Sequence, residues 1–262
     1  MPARDGELRL IATGEPDATQ TLLEDGGSDF VLSCEHAANR LPRALGDLGL
    51  SDTALQSHVA WDIGAGHLTR LLSQRLQACA LLHQYSRLAI DCNRPLTASD
   101  SIAVEAEWGV IPGNQQVDAA QRAARAEALF VPFHDRMRQI LDRRRAQHRR
   151  SLLVAVHSFT PRLRGVTRPW DIGLMYRKDA RLATPVLEAL RRDERLIVGD
   201  NQPYAIDDEF DYTLPEHGER RGIAHLGLEI RQDLIADEAG QTRWAGRLAS
   251  LLRQVAQTLD AG

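Results

Sequence analysis

Four stretches of the chain end a run of apolar residues in groups able to do chemistry. Phe30-Val31-Leu32-Ser33-Cys34 leads into Glu35-His36, and Leu81 to Ile90 leads into Asp91-Cys92-Asn93-Arg94. Leu152-Leu153-Val154-Ala155-Val156 leads into His157-Ser158, and Ile223 to Ile230 carries Glu229 just before Arg231. Short apolar runs read as buried strands. In open α/β sheets, ligands collect outside the carboxyl ends of the strands. The four ends therefore define one expected rim bearing two histidines, several carboxylates and arginine. Imidazole and carboxylate are donors for a divalent ion, most readily zinc, whose catalytic sites use three protein ligands and keep one position open. His36 and His157 are the first two expected ligands, because each directly follows a buried strand. His58, His67, His83, His134 and His148 fall on helices or strand flanks and read as ordinary core or surface residues.

The run Ile223 to Ile230 alternates, with His225, Gly227 and Glu229 on one side and Ala224, Leu226, Leu228 and Ile230 on the other. A carboxylate on so apolar a strand must be paired, bound to metal or protonated. A raised pKa suits a general base that activates water; pairing with Arg87 or Arg231 is the structural alternative. If the pleat persists through Tyr85 to Pro95, Arg87, Asp91 and Asn93 share a strand face, and Arg94 lies at the turn enforced by Pro95. A guanidinium matches a carboxylate in a bidentate fork. Two arginines near a metal thus suggest a substrate bearing a carboxylate, one arginine holding it and the other polarising the carbonyl under attack.

The elements that must position these groups follow from periodicity. A helix is expected from Asp62, with Leu68, Leu71, Leu72, Leu76 and Cys79 on one face. A strand follows over Leu81 to Asp91, then a long loop over 95–116. The longest helix runs from about Val117 to Arg149, kinked or divided by Pro132. A strand near Ile172 to Tyr176, a helix near Thr184 to Asp193 and a strand near Leu196 to Val198 precede a second long loop, Asp200 to Gly222. A closing helix carries Trp244, Leu248, Leu251, Leu252, Val255 and Leu259. Alternating strands and helices indicate an α/β fold around a mostly parallel sheet. Residues 1–29 are polar and read as a surface leader, with a single α/β domain over 30–262. Loops this long usually act on a site; Asn201, Pro203, Tyr204 and Asp211 to Arg221, including His217, are candidates for a lid.

Composition narrows the partners. The chain has 262 residues, a 43% hydrophobic fraction and a formal charge of −4, which argues against nucleic acid as the main partner. Lys178 is the only lysine, and the arginine-rich run Arg143 to Arg150 reads as the positively charged end of a helix rather than a phosphate patch. Nothing reads as a signal peptide or a membrane span. Three widely spaced cysteines without a CxxC pair suit a reducing compartment, so a cytoplasmic location is expected. Oligomeric state is not legible.

Together, Ser33-Cys34-Glu35-His36-Ala37, Ser86-Arg87, Asp91-Cys92-Asn93-Arg94-Pro95, Val156-His157-Ser158 and Leu228-Glu229 resemble the N-formylglutamate amidohydrolase family, within the zinc carboxypeptidase-like hydrolases. The Asp-x-Asn-Arg segment is also similar to that of aspartoacylases and succinylglutamate desuccinylases. The resemblance spans Phe30 to Leu234. It implies a three-layer α/β/α fold with a mixed, mostly parallel sheet. It also implies hydrolysis of an N-acyl amide of an acidic amino acid by zinc-activated water. Glu229 would be base and proton shuttle, Arg87 would orient or polarise the acyl carbonyl, and Asn93 with Arg94 would hold the α-carboxylate. Carboxypeptidase-like sites take two ligands from His-x-x-Glu, but here the residue three after His36 is Asn39. The resemblance supplies Asp62, in Trp61-Asp62-Ile63-Gly64, as the third ligand, with Glu35 as the alternative. Zinc, cobalt and manganese all accept such donors. Two other functions stay open: a related hydrolase of another N-acyl amino acid or peptide, and a ligand-binding relative that has lost the chemistry.

Overall fold

The computed structural model describes residues 9–107 and 109–259, so the first eight residues of the expected leader lie outside the described residues. Seven strands form one sheet: β1 (Thr19–Leu22), β2 (Phe30–Cys34), β3 (Cys79–His83), β4 (Leu152–Phe159), β5 (Ile172–Met175), β6 (Val198–Asp200) and β7 (Ala224–Arg231). Their order is β1-β3-β2-β4-β7-β5-β6. The central strands β3, β2, β4 and β7 are mutually parallel. β1 pairs antiparallel with β3, and β5 antiparallel with β7. This is the mixed, mostly parallel α/β sheet expected from the sequence.

Period-two alternation sends the strand residues to two cores. Phe30, Leu32, Val154, Val156, Leu226 and Leu228 pack toward helices α1 (Ala65–Leu76), α4 (Ala183–Arg191) and α5 (Glu238–Thr258). Val31, Leu81, Leu153 and Ala155 pack on the other face with Leu129, Phe130, Phe133, Met137 and Leu141. The last five belong to a long helical stretch in three pieces: α2 (Ala119–Arg125), a π-helical turn (Ala126–Phe130) and α3 (Val131–Ala146). Pro132 has no N–H to donate and would crowd the carbonyl four residues back. The division expected at Pro132 is accordingly met by a π turn just before it, with the proline in the first turn of α3.

Three expectations need correction. The strand after α1 ends at His83, and residues 84–94 turn instead of continuing the pleat. Arg87, Asp91 and Asn93 therefore do not share a strand face. Cys79 opens β3 rather than extending the apolar face of α1. Thr19–Leu22 within the polar leader forms the sheet edge, registered with Ala80 to His83. The arginine-rich run fastens this leader down. Arg144 donates to the carbonyls of Ser28 and Arg150, Arg143 pairs with Glu24, and Arg150 pairs with Asp29 at 2.7 Å. Both long loops carry local order: a small hairpin (Glu105–Ala106 with Gly109–Val110) in the first, and a π turn (Leu214–Gly218) with a 3₁₀ turn (Glu219–Arg221) in the second. Among the described residues, no helix is long and apolar enough to cross a membrane.

Candidate metal centre

The rim expected from the strand ends exists. Cα register pairs Glu229 of β7 with His157 of β4. Registered neighbours on parallel strands point to the same face, so carboxyl and imidazole emerge together. His36 follows β2 by two residues. Asp62 sits just before α1, and its backbone N–H donates to the His36 carbonyl at 3.0 Å. Two glycines allow this approach: a Cβ on Gly64, whose φ is +81°, would fall 2.1 Å from the Ile235 carbonyl oxygen, and one on Gly66 would fall 2.5 Å from the Ala37 oxygen. Ser158 then ties β4 to the same loop, its hydroxyl donating to the Ile63 carbonyl at 2.8 Å.

His36, Asp62 and His157 form a buried group whose candidate ligand atoms all lie within 4.8 Å of one another, and which can hold a metal ion. Asp62 Oδ2 lies 3.2 Å from His36 Nδ1 and 2.9 Å from His157 Nδ1. The far ring nitrogens face two further carboxylates: Asp91 Oδ1 at 2.7 Å from His36 Nε2, and Glu35 Oε2 at 3.2 Å from His157 Nε2. The second contact lacks hydrogen-bond alignment, leaving both atoms without a hydrogen-bond partner. Glu35 thus stands on the side of His157 away from Asp62. Arg87 completes the ring, donating to Asp91 Oδ2 from Nε at 3.0 Å and Nη2 at 2.6 Å, with Nη1 3.5 Å from Asp62. A turn from Ser86 to Asp91, rather than a strand face, brings Arg87 and Asp91 together.

The charges are strongly coupled. Burial opposes ionisation of Asp62, but His36 and His157 overcome it and hold the carboxyl well below the usual range. Burial likewise opposes Glu35, and His157 brings it down to about 2. Asp91 is held far below its ordinary value against burial, chiefly by Arg87 and His36. Burial alone would lower His157, yet Asp62 and Glu35 raise it well above a free imidazole. Glu229 behaves oppositely. It is 6% exposed, and burial pushes its pKa up to about 7 against the pull of His157. Arg231, one alternative partner, pairs with Asp171 and Asp233 instead. Arg87 is taken by Asp91 and Asp62, and Oε2 of Glu229 is buried without a hydrogen-bond partner.

A cavity of about 350 Å³ opens on this cluster. His36, Asp62, Arg87, Asn93, Arg94, His157 and Glu229 all border it, so every sequence-predicted site residue reaches one place. Asn93 and Arg94 also hold the wall. Asn93 Oδ1 accepts from the Thr213 N–H at 3.0 Å, and its amide donates to Asp211 at 3.1 Å. Arg94 donates to the Phe210 carbonyl and pairs with Asp100 at 3.1 Å. Tyr204, an expected lid residue, lies on the cavity; His217 is buried instead against His134, 3.0 Å away. Sequence reading missed His58, Phe159 and Phe210 on the cavity wall.

Residues 28–236 match the sequence model of the family described as N-formylglutamate amidohydrolase. No curated protein matches significantly. Among solved structures, the gene product Atu2144 from Agrobacterium tumefaciens is 38% identical with a TM-score of 0.93, over 96% of this chain and 100% of that one. The N-formylglutamate amidohydrolase from Ralstonia eutropha JMP134 shares the fold at 18% identity and a TM-score of 0.64, over 94% of this chain and 100% of that one. With the family match covering the strand ends, the cluster and the cavity wall alike, this chain belongs to the N-formylglutamate amidohydrolase family.

Proposed function

We propose that the chain is a cytoplasmic, zinc-dependent amidohydrolase, a single catalytic domain that includes the edge strand β1 as well as residues from 30 onward, and that it cleaves the N-acyl amide of an acidic amino acid such as N-formylglutamate. The observation that carries this reading is the place of Glu229 beside the cluster: a buried carboxyl in register with His157, its Oε2 without a hydrogen-bond partner, whose pKa burial pushes up to about 7. Such a group can take a proton near neutral pH and give it back.

The donor set fits a divalent ion. His36, Asp62 and His157 offer two imidazoles and a carboxylate, and carboxylates behind both imidazoles suit the orienting outer partners of metal-ligating histidines. The balance of charge agrees. Glu35, Asp62 and Asp91 surround the two imidazoles, and Arg87 is the one guanidinium paired with them, so three carboxylates face a single permanent cation. Bound at His36, Asp62 and His157, the ion would supply Lewis acidity, polarising the carbonyl and lowering the pKa of water.

The chain's own residues do the rest. Glu229 accepts a proton from the attacking water and passes it to the departing amide nitrogen. The new carbon–oxygen bond replaces the carbon–nitrogen bond, and formate and an amino acid leave. Arg87, fixed by Asp91, orients the acyl carbonyl. Arg94 and Asn93, held against the 210–213 wall, receive the α-carboxylate. Buried, unpaired Cys34, Cys79 and Cys92 suit a reducing cytoplasm. N-formyl-L-glutamate hydrolysis should cease on chelation and return with zinc; equal turnover by chelated and zinc-loaded protein would end the metal claim.

A further inference from the structure

The two residues assigned to the α-carboxylate are already engaged by a carboxylate of the chain itself. Asn93 donates from its amide nitrogen to Asp211 Oδ1 at 3.1 Å, and Nη1 of Arg94 lies 3.9 Å from the same oxygen. Asp211 borders the cavity together with Asn93 and Arg94. Arg94 also donates to the Phe210 carbonyl, and its guanidinium stands 5.8 Å from the centroid of the Phe210 ring. A carboxylate between an amide N–H and a guanidinium is the arrangement expected of bound substrate, and here residue 211 supplies it. Burial raises the Asp211 pKa, while the Asp207 N–H and Arg94 draw it down.

Asp211 ends a turn that is closed on itself. Its N–H donates to the Asp207 carbonyl at 2.8 Å, and its Oδ2 accepts from the Asp207 N–H at 2.9 Å. Asp207 Oδ1 accepts in turn from the Glu209 N–H at 2.7 Å. Buried Ile206 on one side, and buried Thr213 and Leu214 on the other, fix the ends of the turn in the core. Between them Asp207 to Phe210 are exposed, so the turn has no buried apolar side chain of its own. On its outer side Arg177 pairs with Asp208 and with Glu219. A segment held by polar contacts with so little apolar burial opens at low free-energy cost.

We propose that the 207–211 turn is a self-occupying lid: Asp211 holds Asn93 and Arg94 in the free protein, and the incoming α-carboxylate takes its place and drives the turn outward. The assignment rests on the amidohydrolase reading above. Two carboxylates crowded onto one amide N–H and one guanidinium repel each other, so bound substrate and the closed turn exclude one another. The apparent affinity for substrate is then reduced by the fraction of molecules whose turn is already open.

The test titrates zinc-loaded wild type, Asp211→Asn and Asp211→Ala with L-glutamate by calorimetry, and measures KM for N-formyl-L-glutamate in the same three proteins. Asp211→Asn removes the competing charge, and Asp211→Ala removes the whole competing group. Both should tighten L-glutamate binding and lower KM, by ~10-fold in Asp211→Ala and less in Asp211→Asn, in line with the loss of one hydrogen bond to a charged group. The effect on kcat should be smaller than that on KM. If Asp211 only props Asn93 and Arg94 in place, both variants will instead bind more weakly with a raised KM, and the lid is overturned. Amide hydrogen exchange reads the turn itself. Saturating L-glutamate should speed exchange over 207–213 in wild type; slower or unchanged exchange there, or no L-glutamate binding by any of the three proteins, also overturns the lid. Tighter L-glutamate binding in the variants without turnover of any formyl amino acid would keep the lid and sink the hydrolase reading. Turnover with KM unchanged or raised in both variants would do the reverse.

Discussion

Each imidazole of the cluster faces Asp62 with Nδ1 and a second carboxylate with Nε2. The outer carboxylates fix which ring edge is presented, so their loss should be felt by an ion they never touch. Asp91→Asn keeps the shape of the group but removes its charge beside His36 and Arg87. It should weaken zinc binding ~10–100-fold, measured by competition with a chromophoric chelator. Glu229→Gln should leave zinc stoichiometry intact while lowering kcat ~10²–10⁴-fold. The pH profile follows from the same residue. Glu229 works deprotonated and burial raises its pKa to about 7, so kcat/KM should fall as pH drops through that value. A bound dication favours the carboxylate and should bring the midpoint below 7. A rate that rises on acidification through this range would contradict Glu229 as the base.

Tyr204 and Ala205 border the cavity, and the chain leading into them passes close over β5 because one strand position has no side chain. Gly173 on β5 is the register partner of Glu229, and a Cβ there would fall 1.7 Å from the Gln202 carbonyl oxygen. Gly173→Ala should therefore cost ~1–3 kcal/mol in urea unfolding and displace the wall next to Glu229. A fully stable variant would mean that the segment is free to move aside. The element scale also shows what the sequence carried. His36, His157 and Glu229 were legible because each ends or punctuates an apolar run, and strand ends meet at one rim. Asp62 required the family likeness, since no periodicity marks a loop residue drawn in by glycines at 64 and 66. The turn over 84–94 was misread as strand, because Leu88, Ala89 and Ile90 are as apolar as a core strand. They are buried by the helices and loops around them instead of by pairing. Thr19–Leu22 carries no apolar signature at all; its pairing with β3 at the sheet edge gives it order.

Across the whole molecule, one face of the sheet packs against α1, α4 and α5 through aliphatic side chains, while the other carries buried histidines beneath the site. His83, at the end of β3, donates from Nδ1 to the Tyr85 carbonyl at 2.9 Å and meets Phe133 edge-on, and burial lowers its pKa to about 4. In the unfolded chain the same group titrates near 6.5. Its neutral form is favoured only in the fold, so its stabilisation is complete above 6.5 and declines as the unfolded chain gains protons, levelling off near 4. The unfolding free-energy difference between wild type and His83→Gln should therefore shrink by a few kcal/mol from pH 6.5 to 4. A difference independent of pH would show that His83 is not held neutral. The claim on which the enzyme depends is the place of the ion. Anomalous diffraction at the zinc edge, from crystals of protein loaded with one equivalent of zinc, tests it most directly. A single strong peak bounded by His36 Nδ1, His157 Nδ1 and Asp62 is expected. A peak elsewhere, or none there in protein that turns over substrate, would contradict it.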